Sequence, residues 1–90
     1  MNATQKSVDP TLAEVDFLRS ELHTGLTLTK IARDARRRTK SDRNRANARK
    51  AYDSVVRFAP KVNLSPDETD EFKSKLNQLR TELKLLGEEV

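Results

Sequence analysis

The strongest helical pattern in the chain lies in residues 65–87, SPDETDEFKSKLNQLRTELKLLG. Ser65-Pro66 with a glutamate three residues after the serine is the arrangement of a capping box followed by proline in the first helical turn. Five large apolar residues then alternate at intervals of four and three, which places them on one helical face: Phe72, Leu76, Leu79, Leu83 and Leu86. Gly87 comes next, where a glycine commonly ends a helix. We therefore predict an amphipathic helix over residues 66–86.

The segment before this helix has a similar pattern and ends at Pro60. Small and apolar residues recur there with helical spacing: Ala48, Ala51, Tyr52, Val55, Val56 and Ala59. The proline disfavours helical backbone at the residue that precedes it. Thr39 or Ser41 is a suitable N-cap upstream. This pattern predicts a second helix over about residues 42–59.

The first helical segment, over about residues 10–37, presents two apolar faces. One set of apolar residues lies within about 60° of Val15 on a helix: Leu12, Leu18, Leu22 and Leu26. A second set lies on the opposite side: Phe17, Leu28, Ile31 and Ala35. Gly25 lies between most members of the two sets. Two explanations remain open, a helix that is kinked or broken near Gly25, or an unbroken helix whose second face meets another chain.

Three amphipathic segments joined by short loops predict an all-α fold, a small antiparallel three-helix bundle of up-down-up order. Residues 9–90 form the single predicted domain, in which Asp9 or Thr11 caps the first helix. We expect residues 1–8, which are short and polar, to be a disordered tail. The loop at residues 61–64 contains two apolar residues that are placed to plug the end of the bundle.

The composition excludes several classes of protein. Apolar residues make up 34% and charged residues 36% of the 90, with two glycines and three prolines, which disfavours a turn-rich β fold. No apolar run approaches the ~18 residues of a membrane span, and the N-terminus lacks the apolar run of a signal peptide. The chain has no cysteine, which removes disulfides and thiol chemistry. We expect a soluble, cytoplasmic protein that does not act at a membrane.

Residues suited to catalysis are sparse. His23 is the one histidine and has no cysteine or second histidine to share a metal with. Four carboxylates lie close together, but they fall in the first turns of the third helix, where acids stabilise a helix: Asp67, Glu68, Asp70 and Glu71. No phosphate-binding glycine loop or nucleophile motif is present. We therefore expect no enzymatic activity, no metal, no cofactor and no small-molecule substrate.

The charge is concentrated in residues 33–50, which we call the basic block. It holds nine of the 18 lysines and arginines and only two acids: Arg33, Arg36, Arg37, Arg38, Lys40, Arg43, Arg45, Arg49 and Lys50, with Asp34 and Asp42. Three interpretations remain open: a solvated surface, a nucleic-acid site, or a site for an acidic protein or anionic surface. The candidate contacts for such a partner are Arg36, Arg37, Arg38, Arg43 and Arg45. The bundle brings Glu88-Glu89 back to the same end, where these acids partly neutralise the block.

Residues 48–60 resemble a known kind of helix. The pattern Ala48-x-x-Ala51-Tyr52-x-x-Val55-Val56-x-x-x-Pro60 resembles the second helix of a tetratricopeptide repeat. In a three-helix setting it is also similar to the microtubule-interacting and trafficking (MIT) domain. The resemblance covers about thirteen residues, and no second copy appears at a period near 34 residues. It implies a groove that binds a helix.

Taken together, these patterns favour a small helical protein-interaction module with an adaptor or regulatory role. The candidate apolar interface is Phe17, Leu28 and Ile31. Its partner is either an unknown protein or a second copy of the chain in a homodimer. The alternative function is a nucleic-acid-associated protein that uses the basic block.

Overall fold

The computed structural model describes residues 10–90 and contains three helices, α1 (Pro10–Asp34), α2 (Arg38–Phe58) and α3 (Pro66–Leu85). One turn of 3-10 helix, Ala59–Lys61, follows α2, and the described residues contain no strand. The all-α three-helix bundle is confirmed. The predicted tail at residues 1–8 and the proposed cap at Asp9 lie outside the described residues.

Contacts between the helices establish the up-down-up order. Phe17, near the start of α1, packs edge-on against Phe58 at the end of α2, so these two helices run antiparallel. Arg33, near the end of α1, bonds to Glu82, near the end of α3, so α1 and α3 run in the same direction. The bundle is elongated, with extents of 52 × 25 × 17 Å. α1 packs more extensively against α2 than against α3.

α1 is continuous through Gly25, so the helix is not broken there. Its buried residues form one stripe at alternating intervals of three and four: Val15, Leu18, Leu22, Gly25, Thr29 and Ala32. A Cβ atom at Gly25 would lie 2.7 Å from Leu79 Cδ2 and 3.4 Å from Ala51 Cβ. The glycine therefore lets all three helices approach closely. The stripe continues through small residues, whereas the larger apolar residues after Gly25 lie on the other face.

Two residues of α1 depart from the predicted apolar faces. Leu12, predicted to face the core, is 53% exposed. Leu28, predicted to lie on the free second face, is half-buried and packs against the core. Thr29 is buried without a large apolar side chain, and its hydroxyl donates to the Leu26 carbonyl at 2.8 Å. That bond satisfies the one buried polar side chain of the described stripe.

The turn between α1 and α2 is tighter than predicted. α1 ends at Asp34 instead of residue 37, and α2 begins at Arg38 instead of residue 42. Arg37 holds the N-cap position without a side-chain bond, so neither Thr39 nor Ser41 is the cap. The Ser41 hydroxyl instead donates to the Ala32 carbonyl at 2.8 Å and ties the two helices together beside the turn.

Both ends of α3 have the predicted form. Ser65 and Glu68 make a reciprocal capping box, with 3.1 Å from the Glu68 amide to the serine hydroxyl. At the other end Gly87 has a φ of 96°, a left-handed conformation that favours glycine. The Glu88 amide bonds back to the Leu83 carbonyl at 2.9 Å, which is a Schellman motif. This motif turns the chain so that Glu88 lies against α2.

The two apolar residues of the α2–α3 loop pack against the core, as predicted for an end plug: Val62 and Leu64. The described core also includes the alternating stripe of α3, in which Phe72, Leu79 and Leu83 are buried. On α2 the buried residues are Ala48, Ala51 and Val55.

Candidate interaction surface

Three arginines of the basic block are paired within the bundle. Arg33 Nη1 lies 2.7 Å from Glu82 Oε1 of α3. Glu88 lies between the other two, with its Oε2 atom 3.1 Å from Arg45 Nε and its Oε1 atom 3.1 Å from Arg49 Nη1. Acids of α3 and of the residues that follow it thus neutralise one side of the block, as the sequence indicated for Glu88.

The pairs around Glu88 include further contacts that hold the arginines in place. Arg49 Nε donates to Asp53 Oδ1 at 3.0 Å, and Arg49 Nη1 donates to the Glu89 carbonyl at 2.9 Å. The hydrogen bond to Asp53, aided by that to Glu88, raises the pKa of Arg49. Arg45 Nε forms an ion pair with Glu88 but makes no hydrogen bond to it. Arg45, predicted to be a partner contact, is therefore turned toward the bundle.

The other cations of the block are exposed and, within residues 10–90, have no ion-pair partner: Arg36, Arg37, Lys40, Arg43 and Lys50. Arg38 Nε lies 4.0 Å from Asp42 Oδ2, a long contact, and its side chain is 93% exposed. The structure therefore leaves four of the five predicted contact arginines free of strong pairs. Arg43 lies on the opposite side of α2 from Arg45, whereas Arg38, seven residues before Arg45, lies on the same side as Arg45 near Asp42.

Three cations of α2 form a row that we call the α2 row, consisting of Arg43, Lys50 and Arg57. They are exposed and lie seven residues apart in one unbroken helix. Seven residues turn a helix by nearly two full turns, so the three share one side at intervals of about 10 Å along the axis. Arg43 and Lys50 belong to the basic block, whereas Arg57 lies outside it and was not predicted as part of this surface. The seven-residue interval from Arg43 through Lys50 was the signal that could have identified Arg57.

Apolar residues lie at intervals along the contact of α1 with α2, with exposed Thr24 between them, and we call this surface the α1–α2 seam: Phe17, Leu28 and Ile31 of α1 with Phe58 of α2. Phe17 and Phe58 meet with ring centroids 6.1 Å apart and remain 46% and 39% exposed. Ile31, 36% exposed, borders a shallow groove of about 250 Å³ with Ala35 and Lys40. Phe58 was not predicted as part of this surface.

The seam and the α2 row are adjacent at Phe58. The Arg57 guanidinium lies over the Phe58 ring at 5.5 Å, and Lys61 Nζ lies 5.6 Å from the same ring. A cation over an aromatic face is attracted by the ring, and such pairs are frequent at recognition surfaces. Exposed aromatic, aliphatic and cationic groups therefore share one side of the α1–α2 pair.

The side of α1 that faces α3 has a different arrangement. Arg19 makes a bidentate pair with Glu71, with Nε and Nη2 each 3.0 Å from a carboxylate oxygen. These hydrogen bonds lower the pKa of Glu71 and raise the pKa of Arg19. The Arg19 guanidinium also lies over the ring of buried Phe72 at 5.3 Å. Charges and apolar groups on this side are thus matched within the chain.

Two larger grooves lie away from the seam. His23 lines an open groove of about 700 Å³ with Asp16, Arg19 and Lys75, between α1 and α3. A more apolar groove of about 480 Å³ lies between the end of α2 and the start of α3, lined by Ala59, Val62, Leu64, Phe72 and Leu76 among others. No group of three or more metal-binding side chains occurs in the part of the chain that the structure describes.

No helix among residues 10–90 is long and apolar enough to cross a membrane. Comparisons with protein-family models, with curated proteins and with solved structures find no match to this chain. The resemblance of residues 48–60 to a tetratricopeptide or MIT helix stays a prediction.

Proposed function

We propose that the chain is a non-catalytic protein-interaction module that binds an acidic partner through the exposed cations of α2 and of the turn before it. One observation supports this most strongly. Acids of α3 and of the residues after it pair with Arg33, Arg45 and Arg49, whereas the remaining cations of the block have no strong pair within residues 10–90. An adaptor or regulatory role is consistent with a small bundle that presents such a surface.

The surface has the composition of a recognition site. Exposed arginines and aromatic rings are enriched where proteins bind one another, because both bury large area and make directional contacts. Here Phe17, Phe58 and Arg57 lie together on one side of the bundle. A merely solvated basic surface would not require half-exposed aromatic rings beside its cations.

Nucleic acid is the second candidate partner, favoured by the turn at Arg36, Arg37 and Arg38. These three consecutive arginines are exposed at the end of the bundle, where they could contact phosphates. Binding of that kind weakens steeply with salt, because phosphate contacts release counterions. The salt dependence of binding therefore distinguishes nucleic acid from an acidic protein as the partner.

The test is a fluorescence-anisotropy titration of labelled poly-glutamate, duplex DNA and single-stranded RNA at about 50 and about 200 mM salt. The proposal predicts binding of poly-glutamate that weakens at least ~5-fold in the Arg36→Glu/Arg37→Glu variant. The matched control is Lys73→Glu/Lys84→Glu, which changes the charge equally on the exposed side of α3 and should change affinity less than about twofold.

Three results would count against the proposal. Equal losses in the two variants would show general charge attraction without a site. Tighter binding to nucleic acid than to poly-glutamate, with a loss of ~10³ or more between the two salt concentrations, would favour the second candidate. Absence of binding to any of the three probes at low salt would reject both.

A further inference from the structure

We infer that the α1–α2 seam and the α2 row form a docking groove for an acidic amphipathic helix of another protein. In the complex this helix lies on one side of the α1–α2 pair as α3 lies on the other, and completes a four-helix bundle. The inference rests on the proposed function, since it names the class of acidic partner and the surface that binds it. It differs from the proposed function in requiring a helix with an apolar stripe.

α3 covers the other side of the α1–α2 pair, so it shows which kind of helix this pair binds. Its apolar stripe is buried, with Leu79 beside Gly25 of α1 at the point where Ala51 of α2 also approaches that glycine. Its acids flank that stripe and pair with arginines of α1, Glu71 with Arg19. An amphipathic helix with glutamates beside a leucine stripe is thus the element that this chain itself uses to cover α1 and α2.

The seam has the length and the exposed apolar groups for a second such element. Phe17 and Ile31 are fourteen residues apart on the unbroken α1, which is about 21 Å of helix axis. Both remain more than a third exposed, and so does Phe58 beside Phe17. A straight seam between two antiparallel helices accepts a third helix by the same side-chain packing that builds a bundle.

The charges beside the seam specify the partner's charge. Arg43, Lys50 and Arg57 recur every seven residues, so a helix lying alongside α2 meets each of them with an acid at the same seven-residue interval. Arg57 links this row to the seam through its contact with Phe58. Because the row has no ion-pair partner within residues 10–90, an acidic helix gains pairs without breaking existing ones.

Charge complementarity favours this occupant over a second copy of the chain. A homodimer through the seam would bring two α2 rows toward each other, and the chain already has a net charge of +4. Like charges placed together oppose association. An acidic helix removes that repulsion and satisfies the cations.

The experiment uses three fluorescent 21-residue peptides of designed sequence. The first is an amphipathic helix with leucine at the a and d positions and glutamate at the flanking positions of each heptad. The second has lysine in place of every glutamate. The third has the composition of the first in an order that destroys the apolar stripe. The inference predicts that the first peptide binds at least ~10-fold more tightly than either of the others.

Two pairs of variants locate the binding site. Phe17→Ser/Ile31→Ser removes apolar groups of the seam, and its control Leu12→Ser/Leu85→Ser removes exposed apolar groups elsewhere, 53% and 74% exposed. Arg43→Glu/Lys50→Glu reverses part of the row, and its control is Lys73→Glu/Lys84→Glu on α3. Each site variant should lose at least ~10-fold in affinity for the first peptide, and each control less than about twofold. Circular dichroism verifies folding, and the row variants, at exposed positions, still test the site if the seam variant unfolds.

The outcomes separate the inference from the proposed function. If poly-glutamate and the third peptide, which has no apolar stripe, bind as tightly as the first peptide, the docking groove for a helix is rejected. The proposed function as a module that binds an acidic partner would still stand. If no acidic probe binds, both are rejected.

Two other occupants of the surface are tested separately. If sedimentation shows a dimer that Phe17→Ser/Ile31→Ser disrupts, the seam binds a second copy of the chain. Duplex DNA that displaces the peptide and loses affinity in the row variant would assign the row to nucleic acid. Either result overturns the inference.

Discussion

The pair formed by α1 and α2 has two sides, and α3 covers only one. On the covered side Leu79 packs against Gly25, and acids meet arginines in close pairs such as Arg19 with Glu71. On the open side Phe17 and Ile31 remain partly exposed. The cations there lack strong partners within the described residues. We refer to these as the closed side and the open side.

The difference shows which features of this small protein stabilise its fold and which are available for a partner. On the closed side the apolar stripe of α3 is buried, and its acids Glu71 and Glu82 pair with arginines of α1. The open side repeats the same ingredients, exposed apolar residues with flanking cations, but without the covering helix. Its residues should therefore contribute little to stability and much to binding, whereas those of the closed side should do the reverse.

The largest expected contrast compares two aliphatic truncations on α1. Leu22→Ala removes a fully buried side chain on the closed side and should lower the free energy of unfolding by about 3 kcal/mol. Ile31→Ala removes a side chain of the open side that is already 36% exposed, and should lower it by about 1 kcal/mol. Urea denaturation followed by circular dichroism measures both. Equal losses of unfolding free energy in the two variants would mean that Ile31 belongs to the hydrophobic core.

The next contrast concerns the close approach at Gly25. Gly25→Val should lower the free energy of unfolding by about 2 kcal/mol, because its side chain would displace buried Leu79. The neighbouring Thr24→Val is the control. Thr24 is exposed, so that change should stay within about 0.5 kcal/mol. A neutral Gly25→Val would contradict the packing of all three helices at this point.

A smaller effect is expected from unpairing the arginines of the closed side. Glu88→Gln removes the charge that Arg45 and Arg49 share, and should lower the free energy of unfolding by about 1 kcal/mol in low salt. Glu89→Gln is the control, since only the backbone carbonyl of that residue contacts Arg49. Thermal unfolding at two salt concentrations measures both. Identical melting curves for the two variants would show that the pairing of Glu88 with Arg45 and Arg49 does not stabilise the closed side.

The smallest expected effect is on the free energy of unfolding at acidic pH. Hydrogen bonds from Arg19 lower the pKa of Glu71 below its ordinary value of 4.5. Its contribution is therefore complete above pH 4.5 and is lost as the pH falls through the lowered value. Wild type should lose more stability than Glu71→Gln between about pH 5 and about pH 3. Parallel stability curves for the two proteins over that range would contradict the pairing.

The sequence was sufficient for the architecture because each helix has a local signal. The capping box at Ser65, the stripe from Phe72 to Leu86 and the glycine at residue 87 all depend on residues close in sequence. Each agrees with the structure to within a residue. The helix ends at the α1–α2 turn were displaced by three or four residues, because polar residues there are compatible with both helix and turn.

The stripe of α1 beyond Gly25 was less predictable. The pattern of large apolar residues pointed to the opposite face, but the buried positions are Gly25, Thr29 and Ala32. Small residues give a weak periodic signal, and only the approach of Leu79 and Ala51 explains them. Leu28 is half-buried at the edge of the seam, because the close packing of α1 against α2 covers the residues that flank their contact.

The division of the basic block was predictable only in outline. The sequence placed Glu88-Glu89 near the block, but not which arginines they meet. Arg45 and Arg49 lie on one side of α2 and Arg43 and Lys50 on another, and that assignment depends on where α3 ends and turns at Gly87. Tertiary contact therefore decides which cations are available. Phe58 and Arg57 became part of the surface only through contact with α1 and with each other.

The most direct test of the open side is an NMR titration of the isotopically labelled protein with the acidic amphipathic peptide. The predicted result is a set of shifted backbone amides that includes Phe17, Ile31, Lys50 and Phe58, with those around Leu79 and Leu83 unchanged. Shifts confined to Arg36, Arg37 and Arg38, or shifts on the exposed surface of α3, would contradict a helix-binding groove between α1 and α2.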